Sequence, residues 1–257
     1  MTKEQLDFIQ PILYTFENED IKIFAEKVID DMPDYIWEVG ASSTGKYHPK
    51  YTLGELGLMK HQIAVVRFIN FFFELEQYKK RFDSRQRDLM RLAALTHDAR
   101  KSGSQEDYKK SKYTKFNHPL LMAKEYMLYV EKGYLSKEEL KFIATLISKH
   151  MGQWNTDKKS NIELPKPNDE ASELLHLADY LASRKCLDMS FDDYLLPKEE
   201  LPDINTYKMP FGKHKDMLIK EVPIDYIEWL SKQSLKEPLK TFTSQLLNHK
   251  ETEQNNN

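Results

Sequence analysis

The chain has 257 residues, enough for one large domain or one domain with a small appendage. Hydrophobic residues at 40% beside charged residues at 31% exclude a disordered chain, and only 8 glycines speak against Gly-rich nucleotide-binding folds and multi-turn β barrels. Lys+Arg 38 against Asp+Glu 41 leaves a net charge of −3, which excludes a surface that coats nucleic acid over its whole extent but allows a local basic patch.

The opening Met-Thr-Lys-Glu-Gln carries no apolar signal core. The first 40 residues read as helices broken by Pro11 and Pro33, with Ile21, Phe24, Ala25, Val28 and Ile29 forming one helical stripe. Residues 40–54, with Gly40, Gly45, Pro49 and Gly54, read as a loop. Within it, Gly40-x4-Gly45-Lys46 nearly spells a phosphate-binding loop. However, Tyr47 stands where a Mg-binding Ser or Thr is needed, and no adequate strand precedes it, so an NTPase is rejected.

A long helix is expected from Glu55 to Arg81. Its most apolar run, Phe68 to Phe73, is interrupted by Asn70 and is far short of a membrane span. Further helices follow from Ser84 to Thr96, after Asn117 with Pro119 in the first turn, and after the capping box Ser136-Lys-Glu-Glu139. Residues 151–167 read as a long polar loop of the kind that often carries function. Asp169 to Leu187 reads as a helix with Ala171, Leu174, Leu175, Ala178 and Ala182 on one face. Cys186 is expected in the core. As the single cysteine it cannot close an internal disulfide, which predicts a reducing, cytoplasmic compartment, and the lack of a span-length apolar run predicts no membrane association.

Residues 197–206 read as a linker, 207–250 as a small α+β module and 251–257 as a disordered tail. In the module, Tyr-Lys-Met-Pro-Phe-Gly-Lys-His-Lys-Asp suggests a short strand and turn, and Pro223 to Leu230 a short helix.

Several polar residues violate the apolar stripes. His61 shares a face with Leu58, Val65 and Phe68, and His150 extends the stripe of Ile143, Leu146 and Ile147. Asp179 falls on the buried face of its helix, and His97-Asp98 closes the helix that ends in Leu95-Thr96. Each alone is read most simply as a satisfied core residue or a cap. Together they place His or Asp at a core position or helix end on four helices. A buried carboxylate is costly unless paired or bound to a cation. This is the ligand chemistry of Mn, Fe, Co, Ni or Zn. His176, His214 and His249 fit no ligand pattern and are expected at the surface.

The order His61, His97-Asp98, His118, His150, Asp179 resembles the HD-domain superfamily of metal-dependent phosphohydrolases. The likeness spans residues 55–190, about half the chain, and implies a mainly α fold: an HD-domain helical bundle over residues 1–196 with a small α+β C-terminal unit. It further implies that His61, His97, Asp98 and Asp179 hold one metal. His118 and His150 stand where a second would be held in dinuclear members. This sequence has Met151 after His150 rather than the adjacent His-His pair of some of them. His97-Asp98-x-x-Lys101 matches the form in which the lysine meets substrate phosphate, with Asp98 orienting or deprotonating the water.

Lys46, His48 and the Ser43 hydroxyl are candidate phosphate contacts, with a solvated loop as the alternative. Arg184 is either a pocket residue or a surface charge. Trp154, or Tyr180, could stack on a base or pack the loop down. The C-terminal unit resembles a module also appended to proofreading-type exonucleases, with Asp216 in place of its usual glycine. The activity expected is therefore hydrolysis of a phosphoester or phosphodiester in a small phosphorylated nucleotide. A metal-dependent nuclease of single strands, reached through the C-terminal module, is one alternative, and a non-catalytic metal or nucleotide-binding module is another.

Overall fold

The computed structural model describes residues 1–42, 45–158, 160–187, 202–233, 235 and 238–254. The chain divides into two compact units, Met1–Tyr194 and Leu195–Asn257.

The first unit is helical. Among the described residues it contains α1 (Lys3–Leu13), α2 (Glu19–Asp30), α3 (Gly57–Glu74), α4 (Ser84–Thr96), α5 (Gln105–Lys110), α6 (His118–Leu128), α7 (Lys137–Lys149) and α8 (Glu170–Ala182). Helix α3 is the central element: it packs on α4 and α8, α4 packs on α7, and α7 packs on α6 and α8. Its middle is apolar almost all round, because Leu58, Ile63, Ala64, Val65, Val66 and Ile69 are fully buried.

The start signals are local. Capping boxes built on Thr2, Asp83, Ser104, Ser136 and Asp169 open α1, α4, α5, α7 and α8. Helix α3 begins differently, after Leu56 at φ +58°. The amides of Leu56 and Leu58 donate to the carbonyls of Trp37 and Val39, which tie the preceding loop to the helix that carries His61.

Helix α2 has no cap from its own N-cap residue, Asn18. The cap comes from α4. Asp88, fully buried, accepts from the Glu17 and Asn18 amides at 2.8 and 2.6 Å and from Asn18 Nδ2 at 2.8 Å. Its other oxygen takes Arg91 Nη1 at 2.6 Å, and Arg91 Nε donates to Asn70 on α3. One carboxylate thus joins α2, α3 and α4.

Several expected boundaries move. Pro11 sits inside α1 rather than breaking it, and the helix runs on only two residues, to Leu13. Helix α3 ends at Glu74, not Arg81. Leu75 turns extended, and the charged run that follows offers no continuous stripe to bury. The loop 151–167 contains a minimal antiparallel pair, β1 (Thr156–Asp157) with β2 (Ile162–Glu163). Helix α8 ends at Ala182, so Cys186 lies past it in a turn and is exposed rather than in the core.

The second unit has its own small core of Met209, Ile219, Val222, Ile227, Leu230, Leu239 and Phe242. A bridge between Lys208 and Leu218 closes a turn, followed by α9 (Ile224–Ser231) and α10 (Leu239–Gln254). Asp216, where a glycine was expected, still adopts φ +67°, a conformation aspartate tolerates better than most residues. Residues 251–254, expected as an unstructured tail, continue α10, whose Lys, Glu and Gln content favours helix propagation. Of the linker, residues 197–201 lie outside the described set. No helix among the described residues is long and apolar enough to cross a membrane.

Candidate metal centre

Four helices deliver the polar residues that interrupt their stripes to one place. His61 comes from the second turn of α3, His97 is the C-cap of α4, His150 is the C-cap of α7, and Asp179 lies in the last turn of α8. His118 opens α6, and Asp98 follows His97. All but Asp179 are buried, and Asp179 is mostly so.

The donors fall on two sides of Asp98. On one side, His61 Nε2 and His97 Nε2 lie 3.9 and 3.8 Å from Asp98 Oδ2, and 3.0 and 3.7 Å from Asp179 Oδ1. On the other, His118 Nε2 and His150 Nε2 lie 2.8 and 3.6 Å from Asp98 Oδ1, and 3.3 Å from each other. Most of these separations are too long for hydrogen bonds. They match the edges of a coordination shell, since ligands held at ~2.0–2.2 Å from one ion sit roughly 3–4 Å apart. Among the described residues two overlapping sets have all their donor atoms within 4.8 Å of one another: His61, His97 and Asp179, and His97, Asp98 and His150.

The ring orientations have local causes. His97 Nδ1 donates to the Ala94 carbonyl at 2.8 Å, and His150 Nδ1 to the Ile147 carbonyl at 2.8 Å. Both carbonyls belong to the last turn of their helix, where intrahelical partners run out. His118 Nδ1 donates to the Lys115 carbonyl at 2.7 Å. Each bond fixes the tautomer that leaves Nε2 with a free lone pair, as in histidines that ligate a metal through Nε2 while Nδ1–H is held by a carbonyl. His97 Nε2 is buried and has no hydrogen-bond partner. A nitrogen acceptor held dry and aimed at two carboxylates is costly without a cation among them, so the residues fit a divalent ion.

Burial alone would raise both carboxyl groups. Their neighbours win: the Lys101 charge first, then His97 and His118, hold Asp98 well below the usual carboxylate range, and the contacts of His61 and His97 do the same for Asp179. Burial lowers His61 and His118 against the pull of the carboxylates. Burial also opposes the charge on His97, but Asp98 and Asp179 together keep it above its ordinary value.

Protons and metal therefore compete first at His97. Occupancy by a divalent ion is expected to be full near pH 8 and to fall as pH drops past 6.5, the ordinary histidine value above which His97 is held. Titrating bound cobalt by its visible absorption checks this, and occupancy that stays flat from pH 8 to 5 would contradict it.

The cluster opens to a cavity of about 210 Å³ whose wall includes His48, Lys101, Trp154, Tyr180 and Arg184. Lys101 bonds to Asp98 Oδ2. Tyr180 and Trp154 stack at 5.4 Å and 12°, and the Arg184 guanidinium lies 4.3 Å over the Tyr180 ring. His48 is half-buried in the wall. Burial, then the neighbouring His61, pushes it down to about 4, so it is neutral at pH 7 and brings no charge to a phosphate. Lys46 does not line the cavity: it is exposed, over the Tyr47 ring at 5.2 Å, because the loop turns it outward. Ser43 lies outside the described residues.

One supporting residue was not legible as such. His176, expected at the surface, is half-buried and its Nδ1 donates to the His150 carbonyl at 2.8 Å. Its only sequence signal is its place one turn before Tyr180 on α8. Gly152 makes room for it. The residue has φ +54°, and a Cβ there would stand 2.1 Å from the His176 ring. Gly152→Ala is expected to destabilise the protein by about 1–3 kcal/mol, readable by thermal denaturation; an unchanged midpoint would contradict it.

A buried His/Asp donor set on a helical scaffold, open to a cavity lined by cations and aromatics, defines a metal-binding α domain. The HD domain family model matches residues 58–184, which supports membership of the HD superfamily, and the fold is an HD helical domain with a small α+β unit. HD domains are in general metal-dependent phosphohydrolases. Residues 197–246 match a model described as a putative quorum-sensing-regulated virulence factor. That description gives no support to the likeness with an exonuclease-appended module. No curated protein and no solved structure matches the chain.

Proposed function

We propose that the protein hydrolyses a phosphoester or phosphodiester bond in a small nucleotide. The observation that carries this reading is the opening of the donor cluster into a cavity that holds both phosphate-binding and base-stacking groups. His61, His97, Asp98 and Asp179 would hold one ion, Mn, Fe, Co, Ni or Zn, with His118 and His150 placed for a second that shares Asp98. A bound divalent ion supplies activation of water and neutralisation of charge developing on the phosphoryl oxygens.

The chain's own groups divide the remaining work. Asp98 stays ionised at neutral pH and can accept a hydrogen bond from the attacking water, which orients it. Lys101 and Arg184 bring positive charge to the cavity wall, enough for one to three phosphates but too little for a long strand. Trp154 and Tyr180 offer the flat apolar surface that a base stacks on. The open cavity speaks against a non-catalytic module, because a purely structural metal site is closed. The exposed, unpaired Cys186 fits a reducing, cytoplasmic compartment.

The test is phosphate release from a panel of nucleoside mono-, di- and triphosphates and cyclic dinucleotides, after EDTA treatment and readdition of each metal. Metal-restored turnover of at least one nucleotide is expected. Failure on all of them, with turnover of a non-nucleotide phosphoester, would remove the nucleotide assignment.

A further inference from the structure

The C-terminal unit carries an aromatic row that is exposed at Phe211 and Trp229 and is seated on the small core through Tyr226. The His214 ring meets Tyr226 edge-on at 4.7 Å, and Tyr226 meets Trp229 at 5.3 Å and 37°. Trp229 is 52% exposed, and Phe211, on the turn beside His214, is 47% exposed. Tyr226 and Trp229 are three residues apart on α9 and share a face. The turn is built to sit there: Gly212 has φ +81°, and a Cβ on it would stand 2.4 Å from the Tyr226 hydroxyl.

Charge accompanies the row. Between Tyr207 and Lys220 the chain has Lys208, Lys213, Lys215 and Lys220 against a single acid, Asp216. Asp225 and Glu228 lie about 100° round α9 from Tyr226 and Trp229, so the positive charge comes from the turn side of the row. Exposed flat rings beside a lysine-rich turn are the combination that binds unpaired bases and their phosphates. A second copy of the chain is a poorer occupant, because the two lysine turns would repel.

We propose that this face, built from Phe211, Lys213, Lys215, Tyr226 and Trp229, binds single-stranded nucleic acid. The proposal stands apart from the hydrolase reading, and its test excludes metal. Fluorescence anisotropy of a labelled 15-nucleotide oligothymidylate is measured with the full chain in EDTA, over a range of salt. Salt-sensitive binding is expected. Trp229→Ala should weaken it at least about fivefold, the loss of one stacked base. Trp229→Phe should retain most of it, and Lys213→Glu with Lys215→Glu should weaken it and flatten the salt slope. Trp229 is exposed, so its replacement leaves the core intact, and circular dichroism verifies the fold. Absence of binding overturns the proposal. So does binding that Trp229→Ala leaves unchanged while a mononucleotide competes it away, since the strand would then occupy the metal cavity. Concentration-dependent dimerisation abolished by Trp229→Ala, without oligonucleotide binding, assigns the face to a second copy instead.

Discussion

Asp98→Ala is expected to lose hydrolysis by about 10³-fold or more while the far-UV spectrum stays helical. The carboxylate faces both histidine pairs, with Oδ2 toward His61 and His97 and Oδ1 toward His118 and His150, so its removal takes a shared donor from both sides. It also removes the acceptor that Lys101 holds. Asp98→Asn is the sharper variant, because it keeps the volume and one acceptor oxygen but loses the negative charge. Both variants should lower bound metal together with turnover. Turnover near wild type in metal-free Asp98→Ala would show the catalytic assignment to be wrong.

The second large effect concerns stability and lies far from the chemistry. Asp88→Ala is expected to destabilise the first unit by about 3–5 kcal/mol, because it takes the nearest carboxylate from the buried Arg91, leaving it Asn70 and the longer contact to Glu17, and uncaps α2 at once. Asp88→Asn keeps the size and one acceptor oxygen, so it should lose less. Urea denaturation followed by circular dichroism measures both. A loss below about 1 kcal/mol for Asp88→Ala would mean that water, not Asp88, satisfies these groups in solution.

Three of the six residues brought together at the centre break a helical period, while His97 and Asp98 stand at a helix end and His118 enters only through the likeness to the HD order. His61, His150 and Asp179 stand where the stripe of each helix calls for an apolar residue, and such a violation can be read one helix at a time. Capping boxes such as Ser136 with Glu139 are equally local and equally legible. The gaps arise where a contact joins distant segments without a repeating mark. Asp88 caps a helix 70 residues away, and His176 supports the carbonyl of His150, 26 residues earlier. The loop before α3 shows the same limit. Lys46 and His48 are two residues apart, yet His48 reaches the cavity wall and Lys46 does not. Between them the Tyr47 carbonyl accepts from the Lys185 amide, a contact across 138 residues that no spacing rule encodes. Cys186 was misplaced because the apolar face of α8 gives no sign that the helix ends at Ala182.

The central claim is that His61, His97, Asp98 and Asp179 converge on a metal ion. Elemental analysis by plasma mass spectrometry, on protein stripped with EDTA, reloaded with manganese and desalted, tests it most directly. At least one ion per chain is expected, approaching two if His118 and His150 hold a second, with a fall of at least one ion in the His61→Ala, Asp179→Ala double variant. A wild-type chain that retains no metal, or a double variant that retains as much as wild type, would contradict it.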